Sequence, residues 1–382
     1  MRNSYRTWIE IDSQAFNHNI KQLRNLTSPQ TALGIVVKAD AYGHGLELIG
    51  KLCQQNSNVS WLFTAGLAES IRLRESGVTK PILVLAYIDD DIRYLIDYDI
   101  TIAVADMTSA HKLSVVAQKF KKTISVHIKI DTGMSRLGFR PSVQAGDNVS
   151  HAVSEIMALE GLRIDGAFTH LSDTNNSDYS FTKSQLHTFD AAVVVIENFL
   201  GKKLFKHVLA SGALHISANY TYDCVRIGSN AYGVWKSPLQ QQRFMALNPD
   251  ITLKPLLTWK TRIIDIKHIA IGDAVSYHRT FIATSPMKIA ILPIGYYDGY
   301  PRGLSHKGRV LVRGTYAPVI GIISMNLMVI DVSAIGSVRI DDEVVLCGDY
   351  PGVTAHDLAI VTDSLHLEFL TRISPRIPRV LV

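Results

Sequence analysis

Lys38 closes the apolar run Gly34-Ile35-Val36-Val37, so its amine is expected in partly desolvated surroundings where the neutral form becomes accessible. A neutral lysine attacks aldehydes, which makes Lys38 a candidate Schiff-base residue; a snorkelling lysine or a structural ion pair is the plainer alternative. Far along the chain, Gly228 and Ser229 follow a second apolar run and can turn backbone N–H groups toward a phosphate, with the Ser211 hydroxyl as a further donor. A glycine turn that is only a turn stays open as the alternative. Taken together, the two features point to an aldehyde that carries a phosphate. Neither a GxGxxG fingerprint nor a Walker loop is present, since Gly43-His44-Gly45 followed by Gly50 has the wrong spacing.

The elements that must position these groups follow from the period of the apolar residues. Short β-branched runs at 33–38, 61–65, 81–86, 101–105, 123–130, 166–170, 207–211 and 224–227 alternate with longer amphipathic segments such as 13–26, with Ser13 as N-cap, 109–120 and 181–199. Eight such repeats predict an α/β fold with a (β/α)8 TIM-type barrel, in which chemistry gathers at the C-terminal ends of the strands. Those ends read Lys38 to Gly45, Asp131-Thr132-Gly133-Met134-Ser135-Arg136, Thr169-His170, Ser211-Gly212 and Arg226-Ile227-Gly228-Ser229. Beyond Asn248-Pro249-Asp250 the texture changes to strands at 261–266, 287–294, 309–312, 319–323, 329–332 and 343–346. The expected division is a barrel over 1–250 and a C-terminal, mostly β domain over 251–382, with the first few residues able to pack with the β domain.

Composition narrows the class. Hydrophobic residues make up 47% and charged residues 19% of the 382, which excludes a disordered chain and gives ample core. The net charge of +5 is scattered, so no nucleic-acid surface is expected, and no run reaches the length of a membrane span. Cys53, Cys224 and Cys347 are odd in number and far apart, so neither a disulfide framework nor a zinc knuckle is indicated and a cytoplasmic location is expected.

The segment Val37-Lys38-Ala39-Asp40-Ala41-Tyr42-Gly43-His44-Gly45 resembles the pyridoxal-phosphate signature of the alanine racemase family, the fold-type III enzymes that pair an α/β barrel with a C-terminal β domain. Further matching blocks run in family order: Lys129 to Phe139, Arg226-Ile227-Gly228, Val275-Ser276-Tyr277, Pro293 to Gly299, and Arg376-Ile377-Pro378-Arg379. The resemblance implies pyridoxal 5'-phosphate on Lys38, racemisation between L- and D-alanine for peptidoglycan, and a homodimer with shared active sites. It makes Lys38 and Tyr277 the two acid/base groups, Tyr277 arriving from the partner subunit. Tyr42, Ser211, Gly228 and Ser229 would hold the phosphate, and Arg226 would face the pyridine nitrogen. Arg136 and Met325 would contact substrate, His170 would support Arg226, Tyr296 would narrow the entrance, and Lys129 matches a lysine that is carbamylated in some members and positions Arg136. A guanidinium only donates, so an arginine facing the ring nitrogen keeps that nitrogen unprotonated and the ring a weaker electron sink, which suits an enzyme that only moves a proton.

Three positions depart from the family pattern. Pro375 stands where a tyrosine is usual, Asn326 where the entrance usually has aspartate, and Ala210 where an asparagine precedes the phosphate serine. They make a serine or broad-specificity racemase the nearest alternative. A fold-type III decarboxylase is disfavoured by Arg226 and the context of Tyr277, and a non-enzymatic pyridoxal-phosphate-binding protein by the C-terminal β domain.

Overall fold

A computed structural model describes residues 5–141, 148–174, 176, 178–214 and 220–382. The chain forms two compact units, one of Asn17–Lys38 with Ile49–Leu253 and one of Met1–Phe16, Ala39–Leu48 and Lys254–Val382. In chain order the strands are β1 (Thr7–Ile11), β2 (Ala32–Val36), β3 (Trp61–Gly66), β4 (Ile82–Tyr87), β5 (Thr101–Val104), β6 (Ile124–Lys129), β7 (Leu162–Phe168), β8 (Phe205–Ala210) and β9 (Cys224–Ile227). They continue as β10 (Leu257–Arg262), β11 (Asp265–Ile269), β12 (Ala274–Val275), β13 (Phe281–Ile282), β14 (Met287–Leu292), β15 (Arg309–Val312), β16 (Thr315–Ile320), β17 (Met328–Asp331), β18 (Glu343–Cys347) and β19 (Arg379–Leu381).

Strands β2 to β9 are parallel and close into a barrel, β2 pairing with β9 from Ala32↔Cys224 to Ile35↔Ile227. They read as near-continuous apolar runs because both faces are covered. Branched aliphatics usually fill such a barrel; here much of the interior is aromatic. Trp61 lies 5.3 Å from Phe205, and Phe168 stacks on His207 at 4.7 Å. Two glycines make room for this: a Cβ at Gly34 would sit 2.2 Å from the Phe63 ring, and one at Gly166 would sit 2.6 Å from the His127 ring. At the opposite rim, the Lys80 ammonium donates to the carbonyls of Cys53, Asn56 and Val59 at 2.5–2.7 Å, pinning the approach to β3.

The other unit is built on one nine-stranded sheet in the order β11-β14-β17-β16-β15-β18-β10-β1-β19, with β12 and β13 as a separate hairpin. Trp8, Trp259, Tyr300 and Phe369 are fully buried in it, Trp259 meeting Tyr300 edge-on at 5.9 Å. Two local expectations are corrected. The single strand foreseen at 261–266 is two strands, because β10 pairs with β1 and β18 whereas β11 turns away to pair with β14. The cap of the helix Ser13–Arg24 is Asp12, whose Oδ1 accepts from the N–H groups of Gln14 and Ala15 at 2.8 Å, while the Ser13 hydroxyl donates to the Val382 carbonyl.

Burial holds the His127 imidazole down at about 4, from the ordinary 6.5, with Asp165 opposing, and the buried His207 lies well below its usual value. Both are neutral when folded, so between about pH 6.5 and pH 4 the unfolded chain binds more protons and stability falls as pH drops. Urea midpoints are expected to decline from near pH 6.5, above the carboxylate range, with His127 alone contributing a loss of about 2 kcal/mol by about pH 5. A midpoint that stays constant down to about pH 5 would refute this.

Candidate active site

Five basic side chains converge at the C-terminal end of the barrel. Lys38 follows β2, Lys129 ends β6, His170 follows β7, Arg226 lies in β9, and Arg136 stands on the loop after β6. Lys38 keeps part of its surface exposed, but partial burial and then the charge of Arg136 lower its pKa, with Glu69 opposing. Burial, then Arg136, Arg226 and Lys38, bring Lys129 down to about 8 against the pull of Asp131. His170 is driven to about 3 by burial and then by the same four cations, so it is neutral. This end of the barrel therefore carries far more positive than negative charge.

Arg226 is the most constrained of the group. NH1 donates to the His207 carbonyl at 2.5 Å and to His207 Nδ1 at 2.7 Å; NH2 donates to the carbonyls of Thr169 and Val208 at 2.8 Å and approaches His170 Nδ1 at 3.4 Å. The carbonyls of His207 and Val208 lie where the β8–β9 pairing shifts register, between His207 and Ala210, and that of Thr169 lies just past the end of β7. A guanidinium has five N–H donors. Four are committed, and among the described residues Nε–H alone has no partner. Burial lowers Arg226 to about 10, which leaves it charged at neutral pH.

Beside it, the Gly228 N–H donates to the Ser211 hydroxyl at 2.8 Å, and both Ser211 and Ser229 are buried. Sequence reasoning gave no role to Asp131, yet its Oδ1 accepts from the N–H groups of Gly133, Met134 and Ser135 at 3.0–3.1 Å and so shapes the loop that carries Arg136. An aspartate two residues before a glycine at a strand end was the available signal. His127 and His207 were also given no role.

The remaining candidates belong to the β unit. Immediately after Lys38 the chain makes a left-handed turn, with φ of 55°, 53°, 52° and 57° at Ala39, Asp40, Ala41 and Tyr42. Each such residue costs about 1–2 kcal/mol. Gly43 and Gly45 close the turn through bonds to the Ala39 and Asp40 carbonyls at 3.0 and 2.9 Å, and Asp40 Oδ1 accepts from Leu46 N–H. Gly43 also packs so closely that a Cβ there would lie 2.1 Å from the Leu370 carbonyl. Arg379 clamps the turn: NH2 donates to the Gly43 carbonyl at 3.0 Å and lies 3.6 Å from Asp40, while NH1 holds the carbonyls of Ser374 and Ile377 at 2.7 Å. Burial pushes the Tyr42 hydroxyl up to about 12, so it is a donor. Tyr277, Tyr296 and Met325 expose 64%, 45% and 54% of their surface, which leaves each available to further contacts. Asn326 donates to the Asp298 carboxylate, where an aspartate would meet like charge. Pro375 is exposed.

Residues 11–236 match the family model for the alanine racemase N-terminal domain and residues 256–381 the model for the alanine racemase C-terminal domain. The chain belongs to the alanine racemase family. It is similar to an alanine racemase of Halothermothrix orenii, 36% identical over 98% of this chain and 96% of that one. The alanine racemase of Clostridium difficile 630 superposes with a TM-score of 0.89 at 30% identity, covering 100% of this chain and 97% of that one. A family structure from Bartonella henselae, described with covalently bound pyridoxal phosphate, shares the fold at a TM-score of 0.82 and 24% identity over 99% of this chain and 100% of that one.

Within this family fold, Arg379→Leu is expected to release the turn after Lys38 and to cost about 3 kcal/mol in urea unfolding, because it removes the cation beside the half-buried Asp40 and the donor to the carbonyls of Gly43, Ser374 and Ile377. A loss below about 1 kcal/mol would remove the clamp from the account.

Proposed function

We propose that this chain is a pyridoxal 5'-phosphate-dependent racemase interconverting L- and D-alanine, with D-alanine for peptidoglycan as its product. The observation that carries the cofactor reading is Arg226, a buried guanidinium with four donors committed and Nε–H left to meet one acceptor. An aromatic ring nitrogen is such an acceptor, and the surrounding cations suit a phosphate and a carboxylate. Lys38 would hold the cofactor; Tyr42, Ser211, Gly228 and Ser229 would hold its phosphate. When bound, pyridoxal phosphate supplies the electron sink that makes a Cα proton labile.

The chain's own groups then move that proton. Inversion needs an acid/base group on each face of Cα. Lys38 serves one face, and its lowered pKa favours the neutral amine that accepts. Tyr277 serves the other, from a second copy of the chain, with Arg136 stabilising its anion. Arg136 and Met325 bind the substrate, His170 and Lys129 steady the arginines, and Tyr296 narrows the entrance. Lys129, near 8, has enough neutral amine to take up carbon dioxide as a carbamate that would position Arg136. We place the domain division at 250/251 and the protein in the cytoplasm, a reading supported by three buried, unpaired cysteines and by the lack, among the described residues, of a helix long and apolar enough to cross a membrane.

Serine is the second substrate to consider, because Pro375 offers neither a hydroxyl nor an N–H. Borohydride reduction and peptide mapping should place a pyridoxyl label on Lys38, and racemisation of alanine, serine, lysine and arginine should be measured side by side. Alanine is expected to be fastest and serine slower by about 10- to 200-fold, with Pro375→Tyr shifting the ratio further toward alanine. A label elsewhere or no cofactor uptake overturns the function; a preference of many thousandfold overturns the permissive pocket.

The shared site has its own test. Lys38→Ala and Tyr277→Phe are each expected to be inactive, but subunit exchange makes mixed dimers that carry one intact site. With random exchange, activity should recover to about one quarter of wild type. Exchange confirmed by mass without recovery would mean that Tyr277 acts within its own chain or not at all.

A further inference from the structure

The barrel interior holds a buried pair of histidines that the proposed reaction does not use. His127 Nδ1 lies 2.9 Å from His207 Nε2, and His207 Nδ1 lies 2.7 Å from Arg226 NH1. The two rings come from β6 and β8, 80 residues apart, and both are almost completely buried. Donor chemistry fixes every proton along this line. A guanidinium cannot accept, so His207 Nδ1 must be the bare nitrogen and Nε2 must carry the hydrogen. That hydrogen points at His127 Nδ1, which must also be bare, leaving His127 with its proton on Nε2.

Packing holds the line in place. The Phe168 ring stacks on His207 at 4.7 Å with an interplanar angle of 11°, and its face also meets the Arg226 guanidinium at 5.4 Å. Gly166 leaves the space that the His127 ring fills. The charged and titratable neighbours are Arg226 and His127 around His207, and His207 and Asp165 around His127. A charged His207 would turn a donor toward a donor at 2.7 Å, so the line works only with both rings neutral.

We propose that His207, with its tautomer locked between Arg226 and His127, is the positioning residue that takes up one Arg226 donor and thereby leaves Nε–H as the group presented to the cofactor's ring nitrogen. This rests on the reading of Arg226 as the cofactor's partner. Replacing the acceptor frees an NH1 hydrogen, lets the guanidinium rotate and changes which donor the ring meets. His127 acts one step further back, since without it His207 is free to place its hydrogen on either nitrogen.

Imidazole 15N spectra of the histidine-labelled protein, with and without pyridoxal phosphate, test the lock directly. His207 is expected to show a bare Nδ1 and a protonated Nε2, unchanged from about pH 8 to about pH 5. A proton on Nδ1, or an imidazolium at neutral pH, overturns the proposal. His207→Leu keeps bulk without an acceptor, and His207→Asn restores an oxygen near the Nδ1 position. The leucine variant is expected to shift the visible absorption of the bound cofactor and lower kcat about tenfold or more with a smaller change in KM, and asparagine to restore the absorption and much of kcat. Equal damage in both variants, or none in leucine, overturns positioning; if neither variant folds, the wild-type spectra decide. If the protein takes up no cofactor, the proposed function fails while the tautomer measurement still judges the lock.

Discussion

A guanidinium gives hydrogen bonds and never takes them, and the barrel is arranged around that one-way chemistry at Arg226. Three backbone carbonyls, from Thr169, His207 and Val208, turn toward it, and the β8–β9 ladder slips register between His207 and Ala210, where two of them lie. The same rule sets the hydrogen on His207 and, through it, on His127. Gly34 and Gly166 appear in the strands because the rings of Phe63 and His127 need their missing side chains. A local irregularity and two glycines, each a cost in a strand, become intelligible as the surroundings of one buried charge.

The charge itself explains why so many basic groups share one end of the barrel. Beyond burial, Arg136 lowers the affinity of Lys38 for protons and Arg136, Arg226 and Lys38 lower that of Lys129, while Glu69 and Asp131 oppose this only in part. Such repulsion in a folded protein is relieved by a bound anion, and it also brings the neutral form of the two lysines closer to reach. Attracting an anion and easing the loss of a lysine's proton are thus two results of a single electrostatic arrangement.

The sequence displayed the parts of this arrangement that are local. The barrel strands are legible because both faces are buried and the apolar runs are unbroken, and Lys38 and Arg226 stand out by ending or punctuating such runs. Contacts between distant positions leave no local trace. A lone His127 or His207 reads as an ordinary core histidine, and only the fold brings them together. The strand foreseen at 261–266 broke because its two halves choose different neighbours, and Asp12 displaced Ser13 as a cap because the Ser13 hydroxyl was committed to Val382. The left-handed turn after Lys38 was equally hidden, since Ala39, Asp40 and Ala41 have no intrinsic need for positive φ.

That turn has a consequence for the order in which the chain can mature. Its clamp, Arg379, follows Gly43 by 336 positions, and β1 pairs in parallel with β19, in the same closing stretch. A ribosome releases the residues of β1 and the turn long before their partners. Until the segment with Arg379 emerges, β1 lacks one neighbour and the turn after Lys38 lacks its clamp, so the lysine is made early and set late. Sequence-distant pairings of this kind fold slowly and leave strand edges exposed meanwhile. The barrel strands β2 to β9 suffer no such delay, because all of them have left the ribosome well before residue 379 is added.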